Sequence, residues 1–167
     1  MKKLLLYFVL LIIPLVSFAG KGKYVVTGGD KTILQEHTSA QLIIDYSNAM
    51  WEDRHYESFC GNDYQERIDK SYKTFFSEFN NKSKGLLLTQ SNDAKYKMTI
   101  KVQKFLRKVR SFYRGEVMVW CTIQITDTTT GKELLKIDVS KSGGESDYSY
   151  SDGIYKCFAA LAERINK

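Results

Sequence analysis

Residues 117–139 read VMVWCTIQITDTTTGKELLKIDV. Val117, Val119, Cys121, Ile123 and Ile125 alternate with Met118, Trp120, Thr122, Gln124 and Thr126, and Leu135, Ile137 and Val139 alternate with Lys136 and Asp138. A period of two is the signature of half-buried strands, because successive side chains leave a strand on opposite faces. The connecting DTTTGK invites comparison with a phosphate-binding loop, which requires G-x-x-x-x-G-K-[ST] leading from a strand into a helix. Here the first glycine is missing, Glu133 follows Lys132, and strand alternation resumes. Parity favours a turn. The inward residues carry odd numbers on both sides, so directly paired positions sum to an even number and the loop has odd length. Pairing Thr128 with Lys132 around Thr129-Thr130-Gly131 sets Ile125 opposite Leu135 and Ile123 opposite Ile137. Gly131 then takes the positive-φ position that a three-residue hairpin loop demands.

Upstream, Tyr96, Met98, Ile100 and Val102 alternate with Lys97, Thr99, Lys101 and Gln103, a third strand of the same kind. Three consecutive alternating runs predict an antiparallel meander with one buried face. Two segments change period. In residues 61–85, Tyr64, Ile68, Tyr72, Phe75, Phe76 and Phe79 recur at spacings of three and four, with charged residues opposite. Asn62 and Gln65 resemble a capping box, and Asn80, Asn81 and Gly85 mark the stop. After the loop KSGGESDYSYSD, Ile154, Cys157, Phe158, Leu161, Ala162 and Ile165 form a second helical stripe, capped by Ser151 or Asp152. Both helices need somewhere to bury an apolar stripe. The predicted fold is therefore α+β, a two-layer sandwich in which an antiparallel meander carries two amphipathic helices on one face. Val25-Val26 and Leu42-Ile43-Ile44 add two short strands near the amino terminus.

The chain opens with Lys2 and Lys3, an apolar run from Leu4 to Val16, and the small-residue site Ser17-Phe18-Ala19. That order predicts a secretory signal peptide over residues 1–19 and an exported, periplasmic or secreted protein with one α+β domain over 20–167. The apolar run is too short for the roughly 20 residues that span a bilayer, and no integral membrane segment is expected after cleavage. Losing Lys2 and Lys3 takes the formal net charge from +6 to about +4. An exported basic chain seldom meets nucleic acid, so an envelope protein or an anionic envelope polymer becomes the expected partner. No cofactor or metal is expected.

Three cysteines cannot all pair within one chain. Cys121 on the inner strand face and Cys157 on the last helix could form a disulfide, or all three thiols, Cys60 included, could be free. The aperiodic segment 47–63 gathers Trp51, Asp53, His55 and Cys60. Cys60 with His55 could serve as nucleophile and base, and Asp53, His55 and Cys60 as metal ligands. However, H-x₄-C matches no established motif, and a loop around a packed Trp51 explains the same residues. The stretch KFLRKVRSFYRGE (104–116) places Lys104, Arg107, Lys108, Arg110 and Arg114 beside Phe105, Phe112 and Tyr113 at a hairpin tip. Cations interleaved with aromatics can hold an anionic group. The outer strand faces add Lys97, Lys101, Met118, Trp120 and Lys136, unless another segment, such as the first strand, covers them. Candidate binding residues are Lys101, Arg107, Lys108, Arg110, Arg114 and Trp120.

The strand opening NDAKYKMTIKVQKF (92–105), the hairpin ITDTTTGKELLKIDVS (125–140) and the closing helix resemble a pattern of bacterial envelope modules. It is similar to the amino-terminal domain of TolB, the curli secretion channel protein and the penicillin-binding-protein activator lipoproteins. The whole chain is similar to small secreted Bacteroidetes-type envelope proteins. The resemblance implies a non-catalytic adaptor or binding module and supplies no catalytic residues. Unlike the lipoproteins, this chain has Gly20 and no cysteine directly following the expected cleavage site. The expected function is thus a non-catalytic envelope protein that docks a partner through the outer sheet face and the basic tip. The alternatives are a small-ligand carrier, with its pocket between helix 64–79 and the sheet, or a cysteine-dependent enzyme using Cys60 and His55.

Overall fold

A computed structural model of the protein describes residues 22–111, 114–146 and 150–167, with the side chains in them except those of Arg110, Ser111, Arg114 and Ser151. The signal peptide expected over 1–19, and Phe112 and Tyr113 at the basic tip, lie outside the described residues. Strands β1 (Lys23–Gly29), β2 (Ser39–Asp45), β3 (Met50–Trp51) and β4 (Arg54–His55) precede helices α1 (Tyr56–Cys60) and α2 (Tyr64–Lys82). Strands β5 (Leu87–Thr89), β6 (Tyr96–Ser111), β7 (Arg114–Asp127) and β8 (Glu133–Ser146) follow, and α3 (Tyr150–Ile165) closes the chain. One sheet takes the order β1-β8-β7-β6-β2-β5, with the short β3 and β4 attached beside β6.

The expected meander exists as β6-β7-β8, and β1 extends it antiparallel along the free edge of β8. The first strand therefore lies in the sheet and does not cover its outer face. The sheet as a whole is mixed, which corrects the expectation of a purely antiparallel one. Strand β2 runs parallel to both β5 and β6, and β3 runs parallel to β6. The chain leaves β2, crosses over through α1 and α2 and returns in β5 in the same direction, the kind of connection that parallel pairing requires. Alternation along β2 reveals which side chains point inward and carries no information about strand direction.

The central hairpin keeps the register that parity demanded, Ile123 opposite Ile137 and Ile125 opposite Leu135. Parity is reached differently, however. Asp127 N–H donates to the Lys132 carbonyl at 3.0 Å, enclosing the four residues Thr128–Gly131, and a bulge between Ile125 and Thr126 supplies the extra residue. Gly131 has φ +69°, as the turn requires. The Asp127 carboxylate accepts from the Thr129 and Thr130 N–H groups and from the Thr130 hydroxyl. These donors are consumed by a side chain, and a carboxylate stands where a phosphate would have to sit.

Beneath the sheet, α3 lies on β7 and β8 while α2 runs beside α3. Ile154, Phe158, Leu161 and Ile165 are buried against Val117, Val119, Ile137 and Val139. Each such side chain contributes about 1.5–3 kcal/mol of burial. The predicted stripe of α2 is only partly used. Phe75 and Phe79 are fully buried, whereas Ile68, Tyr72 and Phe76 stay partly exposed because α2 flanks the core. No capping box forms. Gln65 bonds to Asp69, and the helix is entered through a 3₁₀ turn at Gly61–Asp63 without a side-chain cap. At its other end the Asn80 amide donates to the Leu88 carbonyl and accepts from the Leu88 N–H, at 3.1 and 2.7 Å, which ties α2 to β5. Helix α3 begins at Tyr150, so Ser151 and Asp152, expected as its cap, lie within its first turn, and the position before the helix falls in residues 147–149, outside the description.

Segment 141–146, expected as loop, continues β8. Lys141 (φ 62°) marks a bulge, after which Ser142, Gly144 and Ser146 face inward. A Cβ on Gly144 would lie 2.5 Å from the Gly153 carbonyl oxygen and 2.6 Å from the Cys157 nitrogen. One on Gly153 would lie 2.5 Å from Val117 Cγ2. The helix thus touches the sheet backbone to backbone at this point.

Candidate functional site

Within the expected site, Trp120 occupies a distinctive place. It lies on β7 facing away from the helices, half-buried. Each neighbouring strand carries one extra residue beside it: Gln103 on β6, between the Val102–Cys121 and Lys104–Trp120 pairs, and one of Ser140 and Lys141 on β8. Bulges bend the strand and raise the local twist, and they recur where a side chain is re-aimed at a site. The bulge at Gln103 also reverses the facing of β6. Val102 points inward and so does Phe105, three residues on. Lys104 is thereby brought to the outer face, where its Nζ stands 4.9 Å from the Trp120 ring centroid. The signal for this was present in the sequence, since a buried-type aromatic at an odd position interrupts the even-numbered inward series of Tyr96, Met98, Ile100 and Val102.

The same register divides the candidate residues between two faces. Lys101 pairs with Thr122, and Lys108 with Glu116, on the outer face with Trp120. Arg107 pairs with the inward Val117 and belongs to the opposite face. There its Nε bonds the Glu52 carboxylate at 3.2 Å, and its guanidinium lies 5.0 Å from the Tyr150 ring centroid. Arg110 and Arg114 sit at the ends of β6 and β7, and their side chains are outside the description.

Next to Trp120 the outer face holds a shallow depression of about 340 Å³, bordered by Asp45, Lys101, Gln103, Thr122, Gln124 and Lys136. The acidic groups here are engaged locally. Asp138 accepts from Thr122 at 2.8 Å, which itself accepts from Gln103 at 3.2 Å. Glu133 accepts from Gln124 at 2.9 Å. Asp45 accepts from the Ser47 N–H at 2.9 Å, and this bond lowers its pKa, with a smaller contribution from Lys101. Among the described residues, Lys97, Lys101 and Lys136 have no carboxylate within ion-pair distance. Donors are left available to an incoming anion.

The alternative sites look different. Cys60 is buried, and burial pushes its thiol upward in pKa, the reverse of nucleophile activation. His55 is exposed on β4. Among the described residues no three His, Cys, Asp or Glu side chains gather as a metal site. Trp51 is 2% exposed and stacks on Phe59 with ring centroids 4.2 Å apart, so segment 47–63 is organised around an aromatic cluster. Cys121 and Cys157 are both buried and free, and the Cys157 thiol donates to the Val117 carbonyl at 2.9 Å. Where a carrier pocket was expected between α2 and the sheet, Phe75, Phe79, Leu86 and Leu88 fill the space.

No protein-family model and no curated protein sequence matches the chain. Among solved structures, PelC from Paraburkholderia phytofirmans, described as a dodecamer, matches with a TM-score of 0.50 at 13% identity, covering 87% of this chain and 94% of PelC. A minor lipoprotein from Acinetobacter baumannii matches with a TM-score of 0.44 at 12% identity over 79% and 90% of the two chains. A putative neuraminyllactose-binding hemagglutinin homologue from Helicobacter pylori matches with a TM-score of 0.42 at 11% identity over 86% and 90%. The PelC match establishes a shared fold. None of the three is a TolB domain or a penicillin-binding-protein activator, so that part of the resemblance rests on strand and hairpin patterns alone.

Proposed function

We propose that this chain is a non-catalytic binding or adaptor protein of the bacterial cell envelope that docks an anionic partner, an envelope protein or an envelope polymer, through the outer face of its sheet. The observation that carries the proposal is Trp120 with Lys104 above its ring, set between two bulges on a face that no helix of the described residues covers. An aromatic ring that keeps one side solvated is a common anchor of interfaces. Lys97, Lys101, Lys104, Lys108 and Lys136 lie on the same face; Asp45, Glu133 and Asp138 there are engaged with backbone, amide and hydroxyl donors, and Glu116 stands opposite Lys108. Arg107 belongs to the other face and is assigned a structural role with Glu52 and Tyr150. The fold is shared with PelC, and it is the leader read from residues 1–19 that supports an envelope location. Against an enzyme using Cys60 and His55 stand the burial and raised pKa of that thiol.

The test places a photo-crosslinking residue at Trp120 in the native envelope, with the same residue at the exposed Lys73 of α2 as the control. Position 120 should yield discrete adducts that position 73 lacks, and these should disappear in a Lys101→Glu, Lys104→Glu, Lys108→Glu variant. Equal labelling from both positions, or adducts indifferent to the charge reversal, would sink the proposal.

A further inference from the structure

The depression beside Trp120 constrains the chemistry of what the outer face holds. Resting on the reading of that face proposed above, we infer that it binds an acidic sugar unit of an envelope polysaccharide, a ring bearing several hydroxyls and one carboxylate. Asp45 at the end of β2, Gln103 on β6 and Gln124 on β7 border the depression, and Lys101 and Lys136 stand among them. Gln103 donates its amide nitrogen to Thr122 at 3.2 Å, and Gln124 donates its own to Glu133 at 2.9 Å. Among the described residues each amide oxygen is left without a protein donor. These oxygens and the Asp45 carboxylate are acceptors that suit hydroxyl groups. Lys101 and Lys136, which no carboxylate among the described residues pairs, suit an anion. A ligand that satisfies both sets carries hydroxyls and a negative charge together.

The acceptors are held in place. Gln103 is the extra residue of the β6 bulge, and a chain of bonds across three strands fixes its amide: it donates to Thr122, 8% exposed, which donates to Asp138 on β8 at 2.8 Å. A phosphate fits less well. Among the described residues no glycine and no helix N-terminus lines the depression, and the Ser47 N–H at its edge already donates to Asp45. The cluster of backbone donors that usually holds a phosphate is therefore not formed there. An acidic protein face also fits less well, because the apolar member of the lining, Val102, is 3% exposed, whereas protein interfaces are centred on apolar and aromatic side chains. The aromatic surface lies two residues further along β7, about 7 Å away, where Trp120 presents a half-buried ring with Lys104 Nζ 4.9 Å from its centroid. A sugar ring offers an apolar C–H face to the indole and a carboxylate to the ammonium beside it. Successive units of one polysaccharide would thus meet the depression and Trp120 in turn.

Isothermal titration of the chain from residue 20 with oligogalacturonate tests this, against two probes: the same oligomer with its carboxylates reduced to alcohols, and polyglutamate of matched charge. Oligogalacturonate should bind at least about tenfold more tightly than either, since one probe lacks the charge and the other the ring hydroxyls. It should also change the emission of Trp120, the other tryptophan, Trp51, being 2% exposed. A Gln103→Ala, Gln124→Ala variant should weaken it by about tenfold or more, with circular dichroism unchanged. Polyglutamate binding as tightly as oligogalacturonate would overturn the inference and mark an acidic protein face, while the wider reading of the outer face stands. Equal binding of the reduced oligomer would overturn it as well, since the lysines would then play no part. Absent oligogalacturonate binding, or indifference to the double substitution, also overturns it. Charge-dependent crosslinks at position 120 then show that the wider reading survives, and their loss shows that it fails too.

Discussion

Replacing Gly144 with alanine tests the contact on which the helical layer is seated. The added methyl would stand 2.5 Å from the Gly153 oxygen, 2.6 Å from the Cys157 nitrogen and 2.7 Å from Lys156 Cβ. Two of these three are backbone atoms of α3, so no side-chain rotation relieves the overlap and the helix must lift from β8. Restoring ordinary contact at about 3.5 Å means a shift approaching 1 Å, and a gap of that size forfeits a quarter to a half of each dispersion contact it opens. The helix carries Ile154, Phe158, Leu161 and Ile165 into the core, each fully or almost fully buried. Overpacking typically costs 1–3 kcal/mol, and the rigidity of both partners places this substitution at about 3 kcal/mol. For a chain of this size that corresponds to a fall in Tm of about 6–12 °C. Urea unfolding followed by tryptophan fluorescence measures it, since Trp51 lies in edge contact with Tyr150 of the same helix, with ring centroids 6.0 Å apart. Gly115→Ala is the control. Its Cβ meets nothing closer than 3.6 Å, and a change within about 0.5 kcal/mol is expected. A Gly144→Ala protein as stable as the Gly115→Ala control would refute the claim that backbone contact seats α3.

Three further outcomes can be measured. Asn80→Ala leaves the Leu88 N–H and carbonyl without their side-chain partner; a loss of about 2 kcal/mol and faster amide exchange at Leu88 are expected, and unchanged exchange would remove Asn80 as the tie between α2 and β5. Burial raises Tyr24 from 10.0 to about 12, against the opposing effect of its hydrogen bond to Ser142. Because the folded state holds this proton more tightly, the stabilisation is complete below pH 10 and is lost as pH rises from 10 to 12. The stability difference between wild type and Tyr24→Phe should therefore shrink across that window, and a constant difference would contradict the raised value. For Cys60, reaction with a thiol reagent should be slow at neutral pH and still climbing above the ordinary thiol range, since burial raises its pKa; a plateau below about pH 8 would revive the enzyme alternative.

Several features were open to the sequence because they follow from local periodicity. Alternation identified β6, β7 and the first half of β8, and a 3.6-residue stripe identified α2 and α3. Parity chose the register of the central hairpin even though the loop proved one residue longer, because a bulge satisfies the same constraint. Where the expectation failed, the deciding contact lay elsewhere in the chain. KSGGES reads as loop because small polar residues carry no apolar period, yet Ser142, Gly144 and Ser146 face inward beneath α3. Their small size is the space that the helix fills. The basic tip read as one patch because sequence proximity suggests a common surface, and the bulge at Gln103 sends Arg107 to one side and Lys104 and Lys108 to the other.

By itself, then, the sequence determined the elements, the inward face of the meander and the placement of Trp120 on the outside, since each is set by the repeat of a single strand or helix. Only the tertiary structure decided that β2 lies parallel between β5 and β6, that Lys104 covers Trp120, and that Asp45, Gln103 and Lys136 border one depression. Strand direction, bulges and the meeting of remote segments arise from pairing between parts of the chain. No local period encodes a partner that lies on another strand or segment.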